Sequence, residues 1–95
     1  MKNCVWMKEW EESERGWGVR PDGASLHATR EDVSAYVTDY WARMPDETPD
    51  EYSRPASAEP CLVTVPQEVY DRIAASKNGV RMWQHELPRA EIRRI

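Results

Sequence analysis

The residues best equipped for chemistry crowd one short stretch, Trp17-Gly18-Val19-Arg20-Pro21-Asp22-Gly23-Ala24-Ser25-Leu26-His27. Read as two strands around a tight turn, it brings an indole, a guanidinium, a hydroxyl and an imidazole onto one hairpin. An indole ring stacks on a planar base, and a guanidinium grips phosphate oxygens through paired hydrogen bonds. Trp17, Arg20, Ser25 and His27 are therefore expected to line a site for an anionic, nucleotide-type small ligand. Gly16 and Gly18 remove side chains on either side of Trp17 and leave the backbone open to close approach. A plainer reading pairs Arg20 with Asp22 or Glu14 and buries Trp17 in the core.

A second aromatic and cationic stripe, Trp6, Lys8 and Trp10, alternates with Val5, Met7 and Glu9. Such a stripe suits base stacking along a single strand. It equally suits a buried face from which the Lys8 ammonium reaches water. His27, His85, Cys4 and Cys61 are the soft metal ligands of the chain. None stands at CxxC or HxxxH spacing, so no metal and no cofactor is expected. There is no Walker loop, GxGxxG or HExxH. His27-Ala28-Thr29 resembles half of the paired His-x-Thr/Ser signature of two-histidine phosphoesterases. The other histidine, in His85-Glu86-Leu87, lacks the hydroxyl residue, and 95 residues are too few for that duplicated fold. A small hydrolase or phosphodiesterase using His27 stays open, and a Cys–His nucleophile pair has no supporting motif. A non-enzymatic binding protein is the favoured class.

Charge narrows the partners. Seventeen acids stand against 13 Lys and Arg, for a net charge of -4 and a pI near 5.2. Holding DNA by phosphate neutralisation needs a basic patch, so direct DNA binding is not expected. The imbalance sits in one stretch. Residues 45–60, PDETPDEYSRPASAEP, hold Asp46, Glu47, Asp50, Glu51 and Glu59 against Arg54. The acids suit either a solvated loop or a mimic of nucleic-acid phosphates that enters a basic groove on a protein partner. In the second case Asp46, Glu47, Asp50 and Glu51, with Trp6 and Trp10, are the expected partner-binding residues. Five Trp and four Tyr with no Phe favour rings that carry a polar handle, as at binding surfaces. Five Trp in a small chain also lead us to expect a homo-oligomer.

The elements that must position these groups form one α+β domain over 1–95, a mostly antiparallel sheet with two helices packed on it. Val5–Glu11 alternates as a strand, and Glu12–Gly16 is a polar connection. Gly16–Arg20 and Ala24–Ala28 are expected to flank a turn at Pro21-Asp22-Gly23, with Gly23 left-handed. Thr29 caps a helix over Arg30 to Arg43, stopped by Pro45. Its stripe, Val33, Tyr36, Val37, Tyr40 and Trp41, is expected to be buried. Four prolines argue against regular structure across 45–60. A strand at Cys61–Val65, a helix opened by Pro66 and ended at Asn78-Gly79, and a strand at Val80–His85 follow. Residues 87–95 form a short helical or extended tail. The order is β-ββ-α-loop-β-α-β.

No run of 18 apolar residues points to a membrane helix, and the start lacks the apolar stretch of a signal peptide. Two cysteines without an export signal fit reduced thiols in a cytoplasm. The runs EESERGWGVRPDGASLH and YVTDYWARMPDETPDEYSRP resemble small bacteriophage and prophage proteins. That resemblance implies a stand-alone cytoplasmic protein that counters host defence. It carries no catalytic residues across. Two partners follow: an anionic small molecule that is sequestered, or a host defence protein blocked in the manner of an anti-CRISPR.

Overall fold

The first strand runs longer than its alternation implies, and that moves the turn. The computed structural model describes residues 2–14 and 16–95. Met1 and Arg15, the latter in the expected polar connection, lie outside the described residues. Strand β1 spans Cys4–Glu14 and pairs antiparallel with β2, Gly18–His27. The chain reverses between them, where the Trp17 N–H donates to the Glu14 carbonyl at 2.9 Å. Pro21-Asp22-Gly23 is therefore not the turn but lies inside β2. Glu9 pairs with Ala24 and Glu11 with Pro21, so Asp22 and Gly23 together oppose Trp10. This is a β-bulge, and Gly23 supplies its left-handed residue, φ +82°. Pro21 is tolerated because β2 pairs on its outer side only over Ala24–Leu26.

Further strands complete one antiparallel sheet. They are β3 (Glu51–Pro55), β4 (Cys61–Thr64), β5 (Val80–Met82) and β6 (Arg93–Arg94). The order is β5-β2-β1-β4-β6, with β3 alongside the outer half of β1. The fold is α+β, as expected. β3 is the exception to the expectation for 45–60: Trp10 to Glu14 of β1 pair with Pro55 to Glu51. Its proline closes an edge strand, where a missing N–H disturbs no outer ladder.

Helix α1 (Arg30–Ala42) starts as expected, its Thr29 hydroxyl accepting from the Asp32 N–H at 3.1 Å. Helix α2 spans Gln67–Ala75. The two helices take opposite faces of the sheet. On one face Val5, Met7, Leu26, Val63 and Met82 pack with Val69 and Ile73 of α2 in the apolar core. On the other, α1 covers the face that carries Trp10, Ser25 and His27. Of the expected α1 stripe only Val33 is fully buried; Tyr36, Val37 and Tyr40 are half-buried and Trp41 is 42% exposed. The correction has a simple cause. The aliphatic residues of β1, β2 and β4 point toward α2, which leaves α1 a polar, aromatic surface to sit on.

Two ends also differ. β5 stops at Met82, because the Trp83 N–H is taken by the Glu86 carboxylate at 2.9 Å and a turn begins. α2 stops at Ala75, before Asn78-Gly79, whose φ values of 66° and 129° are left-handed in the connection to β5. Cys4 and Cys61 are free thiols. Cys4 pairs with Thr64 and Cys61 with Met7, so three positions of strand separate them, too far for a bridge. Among the described residues no helix is long and apolar enough to cross a membrane.

Candidate functional site

Under α1 lies a chain of polar groups whose inner members, Trp10, Ser25 and His27, are buried. The Trp10 indole donates from Nε1 to Ser25 Oγ at 2.8 Å. Ser25 Oγ stands 2.7 Å from His27 Nε2, and His27 Nδ1 stands 2.5 Å from the Asn78 carbonyl. A carbonyl only accepts, so the proton is on Nδ1 and donates to Asn78. Nε2 then accepts from the Ser25 hydroxyl, and the chain runs Trp10 to Ser25 to His27 to Asn78. Tyr36 meets the His27 ring edge-on, centroids 5.2 Å apart.

A hydroxyl on a base whose far nitrogen is oriented by an acceptor is the connectivity of a nucleophile pair. Here Ser25 and His27 are each 0% exposed, and the Trp10 indole fills the second position on Ser25. No substrate atom reaches that hydroxyl in this packing. The arrangement suits a satisfied buried network that fixes the sheet under α1.

Burial holds the His27 pKa below the ordinary imidazole value, against smaller opposing effects of the Asn78 carbonyl and the Asp32 charge. The folded protein thus refuses a proton that the unfolded chain accepts. Stability from this group is complete above about pH 6.5 and is lost as pH falls toward the lower folded value. The His27 ring resonances, followed by NMR, are expected to titrate below the ordinary imidazole value. Protonation near pH 6.5 in the folded state would contradict the network.

A second network adjoins the first. The Arg81 guanidinium lies between the rings of Trp10, at 4.8 Å, and Trp83, at 4.0 Å. It donates to the Asp22 carbonyl, and its Nη2 is 3.3 Å from the Asp22 carboxylate. The Ser53 hydroxyl donates to the same carboxylate, and the Tyr40 hydroxyl donates to the Ser53 carbonyl. Asp22 at the bulge therefore ties β2, β3 and β5 together, and Tyr40 ties α1 to them. Asp22, Tyr40, Ser53 and Arg81 were not singled out by the sequence as one unit. Only the bulge brings them into reach.

The four residues expected to form a ligand site do not gather. Ser25 and His27 are interior, on the α1 side. Trp17 sits in the β1–β2 turn and is 86% exposed. Arg20 is exposed and pairs with Glu12 at 2.6 Å and Glu14 at 2.9 Å. The hydrogen bond it donates to the Glu12 carboxylate is the main cause raising its pKa. Pairing with Glu14 was one of the plainer alternatives; burial of Trp17 was the other, and Trp17 is not buried. Moving the turn from Pro21-Asp22-Gly23 to Gly16-Trp17-Gly18 separates the two pairs by most of the length of β2.

The expected partner-binding residues also divide. Trp10 is 2% exposed and belongs to the interior. Trp6 is half-buried, with the Arg30 guanidinium 5.3 Å from its ring centroid. Asp46, Glu47 and Asp50, between the end of α1 and β3, and Glu51, which opens β3, are all exposed. Glu51 pairs with Glu14 and Tyr52 with Ser13, beside the β1–β2 turn. Tyr52 in turn meets Trp41 edge-on at 6.3 Å. The end of the molecule at the β1–β2 turn thus displays Trp17 and Val19, with Glu51 beside the turn and Trp41 reached through Tyr52. Trp41 escaped sequence reading, which assigned it to the buried stripe of α1.

Among the described residues no three His, Cys, Asp or Glu side chains stand together as a metal site. No protein-family model matches the chain, and no curated protein or solved structure matches it either.

Proposed function

We propose that the chain is a non-enzymatic binding protein that docks its outer end into a basic surface of a protein partner and blocks it. The observation that carries this reading is Trp17, 86% exposed on a tight turn at the tip of a hairpin. A tryptophan held out in water where two paired strands meet is placed to enter a pocket, and such residues dominate binding energy at interfaces. Acids supply the complementary field: Glu51 pairs beside the turn, and Asp46, Glu47 and Asp50 precede it in a stretch without a single base. Charge of one sign around an apolar anchor steers association and selects the opposite sign on the partner.

The resemblance to small bacteriophage proteins adds a setting, the host cytoplasm, and a partner class, a defence protein with a nucleic-acid groove. The test is reversal of Asp46, Glu47, Asp50 and Glu51 to Lys. Partner capture by the native protein is expected to weaken steeply with salt, and capture by the reversed variant is expected to vanish. Equal capture by both would overturn the reading.

A further inference from the structure

We infer that the cleft between α1 and residues 55–60 is a binding site for a small phosphate monoester. The inference is independent of docking at the outer end. The cleft measures about 370 Å³, within the range of small-ligand pockets. Two cations from different elements line it, Lys8 of β1 and Arg30 from the first turn of α1. The Arg30 guanidinium lies over the Trp6 ring, 5.3 Å from its centroid. Ser34 and Thr38, one helical turn apart on α1, add two hydroxyls. Val33 and Val37 supply an apolar wall for the organic part of a ligand.

The present partners of the two cations come from the loop itself. Lys8 Nζ donates to the Ala58 carbonyl at 2.6 Å. Arg30 meets the Glu59 carboxylate at 3.2 Å, with side chains 54% and 83% exposed. Exposed ion pairs of this kind are weak. The Glu59 carboxylate meets one of the two cations, and among the described residues the other donates to a neutral carbonyl. Two cations match the two charges of a phosphate monoester, whose oxygens accept from a guanidinium in pairs. A monocarboxylate would satisfy one of them. The match therefore selects a phosphate monoester over a simple acid, and Glu59 acts as an internal competitor.

Amide NMR titration with AMP, ribose 5-phosphate, inorganic phosphate and adenosine tests this, using the full chain. Both phosphate monoesters are expected to shift Lys8, Arg30, Ser34 and Thr38, with adenosine silent. Glu59→Gln is expected to tighten AMP binding about two- to fivefold, the worth of a weak exposed pair. Arg30→Gln is expected to weaken it at least about tenfold. Both positions are exposed, and an unchanged spectrum elsewhere confirms that each variant folds. The inference is overturned if Glu59→Gln shows no cleft shifts with AMP up to about 10 mM, beyond the range of weak specific binding. It is also overturned if inorganic phosphate shifts all cationic residues alike, as an adventitious ion only, or if Arg30→Gln binds AMP as well as the native chain.

Discussion

Gly23→Ala is expected to destabilise the fold by about 2–5 kcal/mol, summing a left-handed penalty with overpacking against rigid atoms. The residue holds φ +82° at the bulge. A Cβ there would overlap the Met82 carbonyl oxygen and lie 2.8 Å from the Trp83 carbonyl carbon and 2.9 Å from the Gln84 nitrogen. These are backbone atoms, so no side chain can rotate away. Relief requires β5 and the following turn to move off β2. That movement would also pull Arg81 from Asp22 and open the second polar network. Gly18→Ala is the control. Its φ is +89°, yet a Cβ meets nothing within 4 Å. Only the conformational penalty of about 1–2 kcal/mol applies there. Urea unfolding of both variants measures the difference, and equal losses would contradict the close approach at the bulge.

Trp17→Ala is expected to leave stability within about 0.5 kcal/mol of the native chain, as for an exposed site away from any cap or core. Partner affinity is expected to fall by about 30-fold or more, the scale of losing an interface anchor worth at least about 2 kcal/mol. The combination discriminates. A tryptophan that serves the fold would lower both stability and binding when truncated. Calorimetric melting beside a binding titration gives the two numbers on the same preparation. Arg20→Ala separates this account from a nucleotide site on the hairpin: Arg20 is held by Glu12 and Glu14, and its loss is expected to change partner binding far less than loss of Trp17.

Much of the architecture is legible where one physical signal acts alone. Alternation around Val5 and Met7 marks the central strand, and Thr29 with Pro45 brackets α1 to within a residue or two. Pro66 opens α2 as its cap residue. The legibility fails where two structures ask for the same residues. Pro-Asp-Gly suits a tight turn, but a bulge also wants a left-handed glycine, and Gly16 and Gly18 were equally fit to reverse the chain. The choice is made by pairing far away in sequence, β5 against Ala24–Leu26 and β3 against the outer half of β1. That choice decides the site, because it sends Trp17 and Arg20 outward and Ser25 and His27 inward. The α1 stripe misleads for a different reason. Tyr36 and Tyr40 keep hydroxyls that need partners, so they cover a polar face, while the aliphatic side chains of the sheet collect under α2. In 45–60 the prolines fall at or beyond the ends of β3, and Tyr52-Ser53-Arg54 between them is free to pair.

Site-specific photo-crosslinking from position 17 tests the central claim most directly. A benzophenone side chain replaces Trp17, with the same group at Trp83 as control. Trp83 is also exposed, at 45%, but follows β5, an edge strand, and is not part of the β1–β2 turn. The account predicts one dominant protein adduct from position 17 in host lysate. The crosslink should map beside Lys or Arg residues on the partner, disappear in the Asp46, Glu47, Asp50 and Glu51 reversal, and be absent from position 83. Position 17 yielding no protein adduct, or the same adducts as position 83, would contradict the docking surface.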